Sequence, residues 1–211
     1  EIFLLSADEK QVGVTRFDAS GRLPFPELIS FDGKPLALAV GALQPNVKPT
    51  LAVIVLDPLE GRSLVTRTAD GKSATQKLNK DFKSNPTTLL FHDVNQDGRA
   101  DLVALVPQEK VKVLLQGAEK GFDEFDVTPP GGIVEQPWLS VADVDGDGKT
   151  ELLMTQKNFL RAVVLKPDAA APNSDSKPGW VFQVKEQING AASNSRLIGA
   201  TAVARGTNAI P

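Results

Sequence analysis

The chain has 211 residues, 41% hydrophobic and 23% charged, with 26 acids against 23 bases and a formal charge of -3. That apolar content with so little net charge excludes a disordered tail, and the mild acidity gives no electrostatic reason for a nucleic-acid partner. With no Cys, disulfides, thiolate zinc sites and thiol nucleophiles are excluded, and no apolar run approaches the roughly 18 to 20 residues of a membrane helix.

The chain opens at Glu1 without an initiator Met or a signal peptide, the start expected of a processed form or an excised piece. Little repeats at 3.6 residues. Short runs of Val, Leu and Phe are separated by Gly, Pro, Asn and Asp, which predicts an all-β fold. The first unit, 1–31, has strands predicted at 2–5, 12–17 and 23–29. The second, 36–80, has them at 36–40, 51–56, 63–66 and 74–78. The third, 87–130, has them at 87–91, 102–106, 111–115 and 122–127. The fourth, 137–190, has them at 138–142, 152–155, 160–165 and 180–184, interrupted by a low-complexity insertion at 167–179 that reads as an exposed loop. A last run at 197–204, within 196–211, reads as the first strand of a further or closing blade. Asp32-Gly33, Asp70-Gly71 and Asn189-Gly190 are dipeptides that suit tight hairpins.

The units repeat. Residues 93–102 read DVNQDGRADL and residues 143–152 read DVDGDGKTEL, a period of 50. Fifty residues earlier, 42–51 reads ALQPNVKPTL, which keeps the flanking apolar runs and has lost every acid. Four strands per unit at this period is the arithmetic of a β-propeller blade. The expected architecture is therefore a single propeller domain or segment spanning 1–211, with about four blade equivalents. It is read as part of a larger propeller, with a closed four-bladed ring as the alternative.

Seven of the 26 acids fall in the windows 93–101 and 143–151, and with those seven set aside 19 acids face the chain's 23 bases. Calcium takes about six to eight oxygen ligands, and alternating acids or amides around a curling loop supply them. In the first loop the candidates are Asp93, Asn95, Asp97, the Arg99 carbonyl and Asp101, with Gly98 at the turn. In the second they are Asp143, Asp145, Asp147, the Lys149 carbonyl and Glu151, with Gly148 at the turn. The second loop has four acids against three and is expected to bind more tightly. An EF-hand would need a Glu at position 12 and flanking helices. Here position 12 is Ala104 or Met154, and the flanks are strand-like. Two divalent ions would bring the formal charge from -3 to about +1.

With these loops set between two short strands, the pattern resembles the FG-GAP and VCBS repeat family, the calcium-loop propeller blades also found in integrin α-subunit heads. The resemblance covers 87–166 well and 36–80 weakly. It implies calcium ligands at Asp93, Asn95, Asp97, Arg99 and Asp101, and at Asp143, Asp145, Asp147, Lys149 and Glu151, in two structural sites. It also implies an extracellular, cell-surface or periplasmic module for adhesion or scaffolding. Its partner would be a protein or a glycan, or other blades or domains of a longer parent chain, without membrane insertion of this segment. The alternative is the propeller part, catalytic or not, of a secreted polysaccharide-active enzyme.

No catalytic constellation accompanies the loops. His92 has no second His, Cys or Tyr to work with and reads as the end of a strand, where neighbouring acids should favour its protonated form. Trp138, Trp180, Phe91, Phe122 and Phe125 read as packing between blades rather than sugar platforms. Lys110 with Lys112, and Arg67 with Lys72, read as solvated strand edges. The acid pairs Asp57 with Glu60 and Asp123 with Glu124 have no fixed separation to suggest general acid–base work.

Overall fold

The computed structural model describes residues 1–6, 8–44, 46–117, 121–134, 138–169, 179–192 and 194–201. Among them there are only strands, turns and loops. The first sheet is β1 (Ile2–Ser6), β2 (Gln11–Thr15) and β3 (Glu27–Ile29). The second is β4 (Lys34–Gly41), β5 (Thr50–Asp57), β6 (Gly61–Thr68) and β7 (Ser73–Lys77). The third is β8 (Thr88–His92), β9 (Asp101–Leu105), β10 (Val111–Gln116) and β11 (Phe122–Val127). The fourth is β12 (Leu139–Ala142), β13 (Glu151–Gln156), β14 (Phe159–Pro167) and β15 (Trp180–Asn189). Each sheet is an antiparallel meander whose strands neighbour one another in chain order. These are the blades of a propeller-like all-β fold.

The core consists of three apolar layers, each shared by two successive sheets. Along β5, Leu51, Val53 and Val55 enter the layer against the first sheet, while Ala52 and Ile54 enter the layer against the third. Along β9, Leu102 and Ala104 face the second sheet and Val103 and Leu105 face the fourth. Opposite faces of a strand alternate with period two. A middle strand covered on both faces must therefore be apolar throughout, and the runs LAVIVL and LVAL are so for that reason. The outermost strands are covered less, and β7 reads SATQK.

The innermost strands lie side by side: β4 against β8, and β8 against β12. Gly41 makes the first approach possible, because a Cβ there would stand 2.7 Å from the Phe91 ring. Gly41→Ala is expected to push Phe91 off its rotamer and cost about 1–3 kcal/mol, measurable by urea unfolding. At the outer edge a side chain continues the ladder. Gln76 Nε2 donates to the Phe122 carbonyl at 2.7 Å, and the Phe122 amide donates to Gln76 Oε1 at 2.9 Å.

Several expectations are corrected by packing. Lys112 is not a solvated edge: it is 5% exposed, with its ammonium 2.8 Å from Asp126 and 4.8 Å from the Phe82 ring centre. Trp180 does pack between sheets, edge-on to Phe125 with ring centres 6.0 Å apart. Trp138 does not. It precedes β12, is 59% exposed and stands over Gly199. Phe91 and Phe122 pack on the layer between the second and third sheets. Of the three dipeptides, only Asp70-Gly71 turns a hairpin within one sheet, between β6 and β7.

The strand expected at 197–204 is absent over residues 197–201, and 202–204 lie outside the described residues. Single contacts hold this segment instead. The Leu197 amide donates to the Lys157 carbonyl, and Ser140 Oγ donates to the Ala200 carbonyl at 2.7 Å. Of the insertion, 170–178 lie outside the described residues, and the Asp168 amide closes its base on the Gly179 carbonyl.

Candidate metal centre

Each acidic loop joins the first two strands of its sheet, β8 to β9 and β12 to β13. Four hydrogen bonds recur in the two loops across 50 residues. The Gly98 amide donates to Asp93 Oδ2 at 2.8 Å, as the Gly148 amide does to Asp143 Oδ2 at 2.9 Å. The Arg99 amide donates to Asp97 Oδ1 and the Lys149 amide to Asp147 Oδ1. The Asp97 amide meets Asn95 Oδ1 and the Asp147 amide meets Asp145 Oδ1. At position 9, Asp101 Oδ2 accepts from the Val94 amide at 3.1 Å, and Glu151 Oε2 from the Val144 amide at 3.0 Å.

The backbone follows the same plan. Positions 4 and 6 are left-handed in both loops, with φ of 62° at Gln96 and 89° at Gly98, and 77° at Gly146 and 84° at Gly148. Side-chain oxygens taking amides two residues on make Asx turns, which curl the loop and turn its carboxylates toward one another.

The loops differ in what they bring together. In the second, ligand atoms of Asp143, Asp145 and Glu151 all lie within 4.8 Å of one another. An ion about 2.4 Å from each of two oxygens allows them to stand at most about 4.8 Å apart, so this spacing suits a calcium-sized centre. Every donor is a hard oxygen, the chemistry that calcium prefers and that soft metals do not. Asp147 lies outside this trio and is exposed, its Oδ1 committed to the Lys149 amide.

Among the described residues the first loop shows no such trio. Asp101 is wholly buried and its second oxygen accepts the Gln116 amide at 2.9 Å. Burial pushes its carboxyl up to about 7, against the pull of those amides. Asp97 Oδ2 is held by the Arg99 guanidinium at 2.8 Å. Desolvation opposes ionisation there, but Arg99 prevails and keeps Asp97 below the usual carboxylate range. The first loop is also pinned on both sides: the Ala100 amide meets the Leu43 carbonyl, and the Val94 carbonyl meets the Leu165 amide. The second loop, apart from buried Glu151, is exposed.

Residues 93–154 match the family model described as an FG-GAP-like repeat. The chain carries an FG-GAP-like repeat. The match begins on the first residue of the first loop and ends within β13, so the repeat contains both loops and the passage from the third sheet to the fourth. A comparison with curated proteins finds no match to the chain.

Two residues near the repeat's loops escaped the reading of the sequence. Gln96 reaches from the first loop to donate to Glu151 Oε1 at 3.2 Å, so it links the two loops. Lys185, on β15, places its ammonium 2.8 Å from Asp145 Oδ2. That contact holds Asp145 below, and Lys185 above, their ordinary values.

His92 does end β8, but it is 6% exposed and its Nε2 has no partner. Desolvation pulls it down to about 4, and Asp93 offsets only part of this, so the ring is neutral rather than protonated. The acid pairs have other duties. Asp57 accepts the Leu59 and Glu60 amides, and Glu60 pairs with Lys77. Glu124 accepts the Asn79 amide and lies 3.7 Å from Lys112. An open cleft of about 760 Å³ between the second and third sheets is lined by Thr66, Thr75, Gln76, Arg99, Gln116 and Phe122. Gln76 is already used between sheets, on Phe122, and the Gln116 amide, with its O and N exchanged, would donate to the carbonyls of Leu43 and Ala100.

Proposed function

We propose that the chain is a calcium-binding propeller module whose ion is structural, acting outside the cytoplasm in protein or glycan binding or scaffolding. The observation that carries this reading is the trio Asp143, Asp145 and Glu151, gathered within 4.8 Å inside an FG-GAP-like repeat. An ion there would be held by these three, with Asp147 and the Lys149 carbonyl completing the set. The first loop would offer Asp93, Asn95, Asp97, the Arg99 carbonyl and Asp101. Calcium would supply charge neutralisation in an acidic loop and a fixed link between the first two strands of its blade. The chain's own residues do the rest: Asx turns shape the loop, and buried Glu151 anchors it to the start of β13.

An extracellular setting suits such a site, because modules of this kind bind calcium at millimolar levels found outside cells. No helix among the described residues is long and apolar enough to cross a membrane. A protein or glycan partner would meet the inter-strand loops, where a propeller carries its variation.

The test is calorimetric titration of the chain with calcium, paired with thermal melting in calcium and in chelator. Saturable binding and a higher melting temperature in calcium are expected. Identical melting curves in the two conditions, with no heat of binding, would discard the reading.

A further inference from the structure

The second loop already contains a cation. Asp145 Oδ1 accepts the Asp147 amide, so Oδ2 is its oxygen without a backbone donor and the better placed to meet an ion. That oxygen is the one Lys185 holds at 2.8 Å. The contact is a product of the fold. Val184 pairs with Val163 and Glu186 with Ala162, so Lys185 is the extra, unpaired residue of a β-bulge in β15. A bulge re-aims a side chain that regular pairing would direct elsewhere. The β10–β11 ladder of the third sheet runs without such a shift, and there the base is Arg99 of the loop itself. Lys185 lies 31 residues beyond the end of the FG-GAP-like match at 154.

We propose that Lys185 is a displaceable internal cation: it occupies Asp145 while the loop is ion-free and leaves when calcium binds, thereby setting the loop's calcium affinity. This rests on the calcium reading above. One carboxylate oxygen cannot serve an ammonium at 2.8 Å and a divalent ion at bonding distance without placing the two cations against each other. In the ion-free loop the ammonium lies in the field of Asp147 and Glu151 as well as Asp145, which relieves the crowding of carboxylates. Binding therefore exchanges one internal cation for another. The work of removing Lys185 is subtracted from the affinity.

The experiment is titration of the whole chain with calcium chloride for wild type, Lys185→Gln, Lys185→Arg and Lys80→Gln. Lys80 is exposed, on the turn after β7, and controls for the loss of one positive charge. Lys185→Gln is expected to bind about fivefold more tightly, the upper range for losing one exposed ion pair. Lys185→Arg and Lys80→Gln should bind as wild type does. Melting supplies a second readout: Lys185→Gln should melt below wild type in chelator and level with it in saturating calcium. That pattern belongs to a cation present in only one of the two states. If wild type binds calcium and Lys185→Gln binds equally or more weakly, the proposal is overturned while the calcium reading stands. If wild type does not bind calcium, both fall together.

Discussion

Glu151→Gln is expected to remove at least about half of the chain's stabilisation by calcium while leaving the ion-free fold intact. Glu151 is wholly buried at the start of β13 and joins two kinds of interaction. Its Oε2 accepts the Val144 amide, which fixes the loop entrance, and its Oε1 accepts the Gln96 side chain. A carboxamide has the same shape and one oxygen to keep on Val144, so the entrance survives. It lacks the charge that an ion would require of the trio with Asp143 and Asp145.

Calcium affinity should fall by at least about tenfold, since charge count in the ligand set is a principal control of affinity. At calcium one hundred times Kd, binding stabilises the native state by about 2.7 kcal/mol. For a chain of this size that is roughly 5–10 °C of melting temperature. A tenfold loss of affinity removes about half of that gain at the same calcium concentration, and a larger loss removes more. In chelator, by contrast, it should melt level with wild type or slightly above, because one of three crowded carboxylates has become neutral. A variant that melts far below wild type in chelator would show that Glu151 serves the fold alone.

Much of this arrangement was legible before any coordinates. The runs LAVIVL and LVAL predict strands because strands covered on both faces can carry no polar side. The 50-residue period places each loop correctly between its first two strands. The Asx-turn geometry follows from acids and amides at alternating positions with glycine at the sixth.

What escaped the sequence depends on neighbours distant along the chain. His92 has Asp93 beside it, so the adjacent charge is visible. The burial that outweighs it comes from packing around β8 and leaves no trace in the local sequence. Lys112 has the spacing of an exposed edge residue, yet it is enclosed by Phe82 and by the acids of β11. Lys185 reaches Asp145 across 40 residues and only because β15 bulges, and WVFQVKEQIN carries no mark of that extra residue. The trio shows the same limit from the other side. The spacing names Asp143, Asp145, Asp147 and Glu151 alike, and only the folded loop separates Asp147 from the three that gather.

Leu102→Ala is expected to destabilise the whole chain rather than one blade. Leu102 is fully buried in the layer between the second and third sheets, and Leu105, on the same strand, is fully buried in the layer between the third and fourth. Either truncation should cost about 2–5 kcal/mol, from lost burial and from the cavity left behind. At roughly 2–4 °C per kcal/mol, the melting temperature should fall by about 4–20 °C. The two side chains sit in different layers, so the double variant should lose close to the sum of the single losses. That sum approaches the roughly 5–15 kcal/mol that a natural chain has in total, and the double variant should be largely unfolded at 25 °C. Leu28→Ala, at a position 59% exposed on the first sheet, should stay within about 0.5 kcal/mol of wild type. The shape of the transition carries the sharper test. Because β5 and β9 each line two layers, no layer can melt without uncovering a strand that its neighbour also needs. Leu102→Ala should therefore show one calorimetric transition, lowered as a unit. Two resolved transitions would mean that the sheets unfold independently and that the shared strands do not couple them.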